Sequence, residues 1–166
     1  MRMFPLISFA LLLTAAALLV AMLSGGLPAI VAVHFNAAGT ANGFMTREDC
    51  RSFMRIFTLG APIFVAAVTG LVPRLVPPSM INIPNREYWL APERAENSIE
   101  FLSEQAIWFA CILATFLASV DWTVARANAA TPPHFPTARF AWIMAVFACA
   151  IAMWALRMFM RFRVPA

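Results

Sequence analysis

The chain contains no lysine; all 12 of its basic residues are arginine. Charge is scarce as a whole, with 12% charged residues against 62% apolar ones. A soluble domain carries about a quarter charged and half apolar. The arginines stand at the ends of apolar runs, so the formal charge of +4 reads as headgroup contact and topology determination, and a nucleic-acid partner is not expected. Cysteine is sparse too: Cys50, Cys111 and Cys149 form no CxxC and no Cys/His cluster. That excludes a disulfide framework and a recognisable metal site. No GxSxG, HExxH, phosphate-binding glycine loop or paired-carboxylate arrangement occurs, so neither a catalytic residue nor a cofactor is expected.

What the chain does have is apolar length. Runs of about 18 or more apolar residues without charge read as membrane spans, and four are expected, at about 4–23, 56–72, 101–121 and 139–158. Loops at 24–46, 74–98 and 123–138 join them. The first run follows Arg2, but it is longer than a secretory core of about 7–15 residues and has no A-x-A site at its end, so it is expected to remain as a span. The sequence therefore predicts a single all-α membrane domain of four antiparallel transmembrane helices with a short extended or hairpin-like cap between the first two. Apart from Glu104, no acidic, basic or histidine residue is expected in the interior of these spans. Pumps and proton-coupled transporters mark their paths with such groups, so a transporter is not expected.

Local signals set the details. Leu27-Pro28 opens the first loop, Ile30 to Phe35 is short, apolar and β-branched, and Asn36, Gly39, Asn42 and Gly43 follow. Asn-Gly is a strong hairpin signal because both residues tolerate positive φ, so Pro28, Gly39, Asn42 and Gly43 are expected to shape the turn, with Gly43 left-handed. Thr46 followed by Asp49 predicts a helix start at Arg47. Pro62 is expected to kink that helix, and Pro73 with Pro77-Pro78 to end it. Pro92, with Glu93 and Glu96 behind it, predicts the start of the third helix. The small-residue pairs Ala66/Gly70 and Ala114/Ala118 and the row Ala141, Ala145, Cys149 have helix-packing spacing. Either packing within the bundle or docking to another membrane protein would use them.

Several residues are candidates for binding. His34 is the most distinctive ionisable group, read either as a loop-fixing hydrogen-bonder or as a contact for a ligand or partner. Asn36 lies beside it. Tyr88 and Trp89 are interfacial anchors or a binding platform. Glu104, the last of the row Glu93, Glu96, Glu100 and Glu104, lies inside the apolar boundary and is expected to be shielded from lipid, with Arg74 or Arg94 as partner.

Two stretches resemble a known family. Leu27-Pro28, then Val31-Ala32-Val33-His34-Phe35-Asn36, Gly39 and Asn42-Gly43, resemble the signature of the bacterial membrane family called domain of unknown function 1648. The stretch from Ile83 to Glu93 is similar to a segment seen in many members. The same His-containing signature occurs in the longer immunity protein that protects sporulating bacteria from their own killing peptide. The resemblance thus implies a non-catalytic membrane protein, immunity-like or envelope-associated, whose partners are the lipid bilayer and an amphipathic peptide or another membrane protein. A small accessory subunit of a larger membrane complex is the alternative, and an enzyme using His34 a third.

Arginines near the spans number seven on one side (2, 74, 86, 94, 157, 161, 163) and five on the other (47, 51, 55, 126, 139). The bias favours a multi-pass protein of the cytoplasmic membrane with both termini in the cytoplasm.

Overall fold

The computed structural model describes residues 3–163; Arg2 of the arginine count lies outside them. Four helices are long and apolar enough to cross a membrane: α1 (Met3–Gly25), α2 (Arg47–Leu75), α3 (Pro92–Asn128) and α4 (Thr137–Arg161), with mean hydropathies between 1.7 and 2.6 over their most apolar windows. A two-stranded antiparallel hairpin, β1 (Ile30–Phe35) and β2 (Ala41–Thr46), joins α1 to α2.

α3 is the hub. α1 and α2 pack along it, and α4 leans on it from another side. α2 and α4 run antiparallel to α3, and α1 runs parallel to it, with Phe4 against Trp108 and Val20 near Val124. On α2 and α3, Thr58 meets Asp121 while Gly70 lies against Ala106. On α3 and α4, Phe101 meets Phe162 while Phe116 stacks on Phe147. Gly70 thus serves as the small-residue contact expected of it. A Cβ at Gly70 would lie 3.6 Å from the Ala106 methyl, an ordinary van der Waals contact, so α2 and α3 meet here through small groups. In lipid, close approach of this kind is a principal source of helix association. The Ala141, Ala145, Cys149 row is different, because these residues are exposed and no residue of α4 is fully buried.

The helix signals hold, with corrections at the ends. Thr46 caps α2: its hydroxyl accepts from the Asp49 N–H at 3.2 Å and donates to the Asp49 carboxylate at 2.6 Å. Pro92 is the first residue of α3. The break expected at Pro62 takes the form of a π-helical turn, Ile56–Gly60, that ends two residues before it. Pro62 has no N–H for the α-helical bond, and a widened turn is one way a helix absorbs that loss. Pro73 does not end α2, which runs through it to Leu75. Termination comes at Val76, extended at φ −98° and ψ 153°, because Pro77 disfavours a helical conformation in the residue before it. α3 does not stop near Asp121 but continues to Asn128. At 37 residues it is about 55 Å long, well beyond the ~30 Å hydrocarbon core, so it extends past the membrane.

Candidate recognition surface on the hairpin

The hairpin is held against the bundle at its base. Leu27 and Val31 are buried with Val20 of α1 and Cys50 and Met54 of α2, and Ala32 is buried as well. Strand register is Ile30 to Thr46, Val31 to Met45 and Ala32 to Phe44, then His34 to Gly43 and Phe35 to Ala41, with irregularities on both sides of His34. Irregular register re-aims side chains. Ile30, His34, Asn42, Phe44 and Thr46 are all exposed, Ile30 at 60% and Phe44 at 58%. Ile30 is therefore not covered by the bundle; Val31 and Ala32 are the anchors.

The turn lies elsewhere than the Asn-Gly pair implied. Asn36 organises it: its N–H donates to the Thr40 carbonyl, its carbonyl accepts from the Gly39 N–H, and its Oδ1 accepts from the Thr40 N–H, each at 2.9 Å. Gly39 supplies the left-handed residue, φ +80°. Asn42 and Gly43 sit within β2, and Gly43 is not left-handed. Glycine is required there for another reason: a Cβ would lie 2.8 Å from that of His34. This close approach lets His34 Nδ1 meet Asn42 Oδ1 at 2.5 Å. With Nδ1 donating, Nε2 is left as the acceptor nitrogen of an exposed ring. Pro28 lies at the entry, its carbonyl accepting from Arg47 Nε at 3.2 Å.

Two further attachments fix the hairpin. Asn128, the last residue of α3, reads the open edge of β1 as a strand would: its Oδ1 accepts from the Ala32 N–H and its Nδ2 donates to the Ala32 carbonyl, both at 2.8 Å. The segment before α4 reaches the turn, where the Phe135 N–H donates to the Gly39 carbonyl at 2.9 Å and Phe135 packs on Phe35 at 5.0 Å between centroids. A cleft of about 390 Å³ results, lined among others by His34, Phe35, Asn36, Val124, Phe135 and Phe140. His34 and Asn36 thus come together with Asn42.

Tyr88 and Trp89 do not join them. They form part of a one-turn helix, Arg86–Trp89, in the loop between α2 and α3 at the opposite end of the bundle. Arg94 stacks on Tyr88 at 4.1 Å, and Arg161 on Trp89 at 4.2 Å. Asn85, left-handed at φ 53°, donates from Nδ2 to the Phe162 carbonyl at 2.8 Å. This cluster fastens the end of α4 to the loop. Glu104 is half-buried on α3. Of the partners expected for it, Arg74 Nε donates to Ser103 Oγ and Arg94 Nε to the Tyr88 carbonyl.

The sequence reading missed Asn128, which looks like an ordinary polar loop residue, and the pair Thr58–Asp121. In that pair Thr58, within the π turn, donates to the buried Asp121 carboxylate at 2.5 Å. An acid at the edge of an apolar run was the available signal, since a carboxylate there is costly without a donor.

A four-helix membrane protein with a hairpin clamped to one end of its bundle is the class these features define. Residues 11–49 match the family described as a domain of unknown function, DUF1648. The match takes in the second half of α1, the whole hairpin and the first residues of α2; the stretch from Ile83 to Glu93 lies outside it. No curated protein and no solved structure matches the chain.

Proposed function

We propose that the chain is a non-catalytic binding protein, immunity-like or envelope-associated, that presents the outward face of its hairpin to an amphipathic peptide. One observation carries this reading. The exposed His34–Asn42 pair lies toward the turn from two large exposed apolar side chains, Ile30 and Phe44, in the segment that matches the family. A polar pair at one end and apolar side chains at the other suit a ligand with one apolar and one polar part. The cytoplasmic membrane, with both termini inside, places this face outward.

Thermal unfolding in detergent and photocross-linking in intact membranes test the proposal together. His34→Ala is expected to leave the melting temperature unchanged. A photoreactive residue at position 44 is expected to capture a peptide adduct that one at lipid-facing Met22 (77% exposed) does not, and His34→Ala should abolish that adduct. A destabilised His34→Ala, by about 1–3 kcal/mol for a lost buried partner, or equal capture at both positions, would overturn the reading.

A second reading, an accessory subunit of a larger complex, is favoured by α4. Its small residues Ala141, Ala145 and Cys149 are exposed, as a helix-docking face would be. Size analysis after mild detergent extraction separates the two: a stoichiometric membrane partner supports the subunit, a chain travelling alone the first reading.

A further inference from the structure

α4 touches α3 along an aromatic ridge, with Phe116 stacked on Phe147 at 4.1 Å and Phe109 on Trp154 at 5.0 Å. Beside that ridge the helices part. A groove of about 520 Å³ opens between α3 and α4, walled by Trp108, Phe116, Trp142 and Phe147. A second, about 640 Å³, continues across α3 to Leu12, Ala15, Ala16 and Leu19 of α1. The two share Thr115, Ser119, Arg139 and Ile143, so they form one slot floored by α3.

The chemistry of the slot is that of hydrocarbon with a charge at one end. The Thr115 hydroxyl donates to the Cys111 carbonyl at 2.9 Å and the Ser119 hydroxyl to the Thr115 carbonyl at 2.8 Å. Their protons are satisfied within α3, so an alkyl chain over them leaves no hydroxyl proton without an acceptor. Arg139 stands at the end nearest the hairpin, exposed in the first turn of α4, its guanidinium 5.2 Å from the Trp122 ring. α4 begins after Pro136 with no side-chain cap, so the field of its first turn reinforces the arginine. Guanidinium pairs with phosphate through charged, bidentate hydrogen bonds, and indoles such as Trp122 and Trp142 favour the headgroup level. A partner helix fits less well between α3 and α4, because helices approach in lipid through small residues, and the walls of that groove are bulky aromatics.

We propose that this slot binds one anionic phospholipid, an acyl chain lying between α1 and α4 and the phosphate on Arg139. The site is separate from the hairpin face and does not depend on its role. Tryptophan quenching by brominated acyl chains tests it, since Trp108 and Trp142 line one groove and Trp122 the other. The protein is reconstituted in vesicles containing both phosphatidylglycerol and phosphatidylcholine, with one or the other brominated at equal mole fraction. Brominated phosphatidylglycerol is expected to quench preferentially. Arg139→Gln should reduce that preference about fivefold, the effect of one cation at an anionic headgroup. Ser119→Phe, which fills the floor and keeps the arginine, should lower quenching by both lipids while the protein still melts cooperatively. Equal quenching by the two lipids in the unaltered protein would mean ordinary boundary lipid. An unaltered preference in Arg139→Gln, or unaltered quenching in Ser119→Phe, would equally overturn the proposal, as would a stoichiometric protein occupying the slot.

Discussion

A methyl group at Gly43 would meet His34 Cβ at 2.8 Å, and one at Gly39 would meet the Phe135 carbonyl oxygen at the same distance. Neither obstacle is the free end of a flexible side chain, so in both cases backbone has to move. Gly39 carries the added strain of φ +80°, a conformation that costs other residues about 1–2 kcal/mol. Gly39→Ala and Gly43→Ala are both expected to lower the melting temperature in detergent, Gly39→Ala the more, and Gly43→Ala should also separate His34 from Asn42. Asn128 makes a third residue-scale case. Asn128→Ala removes both bonds to Ala32 and leaves a buried strand edge without partners, a loss of about 1–3 kcal/mol. An unchanged melting temperature for Asn128→Ala would show that the hairpin does not depend on this clamp. The sequence revealed that a turn was needed here but not where it falls. Asn36 to Gly39 and Asn42-Gly43 both satisfy turn chemistry. The choice between them is made by pairing register and by contact with Phe135, far away in the chain.

Helix starts were legible because caps and prolines act within one turn: Thr46 with Asp49, and Pro92, mark them correctly. Helix ends were less so. Polar Thr123 and Asn128 look like loop but are drawn into α3, where Thr123 donates to the Ser119 carbonyl and Asn128 to that of Val124. At Pro62 a break in α2 was legible but not its form as a π turn, nor that this turn carries Thr58, the donor that meets Asp121 across the helix pair. Thr58→Val keeps the shape and removes that donor. It is expected to cost about 1–3 kcal/mol, read as a lower melting temperature, while Thr58→Ser stays near the unaltered protein. Equal melting temperatures for Thr58→Val and Thr58→Ser would show that the hydroxyl does not hold α2 to α3.

At the scale of the whole molecule, orientation follows from arginines at the two ends of the bundle. The hairpin end holds Arg47, Arg51, Arg55, Arg126 and Arg139, but Arg51 is turned inward. It donates to the Ser24 carbonyl through Nε at 3.0 Å and Nη2 at 2.8 Å, and pairs with Glu48 at 3.1 Å. That arginine closes the C-terminal end of α1 as much as it meets headgroups. The opposite end keeps seven in the sequence count, three of them in the last ten residues, so the excess of positive charge there is the larger for the inward turn of Arg51. Short-loop arginine excess marks the cytoplasmic side, and we predict both termini inside with the hairpin outside. Cys50, the natural labelling probe on the hairpin end, is only 3% exposed and will label poorly in either orientation. A cysteine introduced at exposed Thr131, in the loop beside the hairpin, serves instead, with one at exposed Asn82 for the other end and Cys149 replaced by Ala. In intact cells a membrane-impermeant thiol reagent is expected to modify the Thr131→Cys protein and to reach the Asn82→Cys protein only after lysis. The reverse pattern would put the His34 face in the cytoplasm and remove the basis for an external peptide as its ligand, while leaving the lipid slot beside Arg139 untouched.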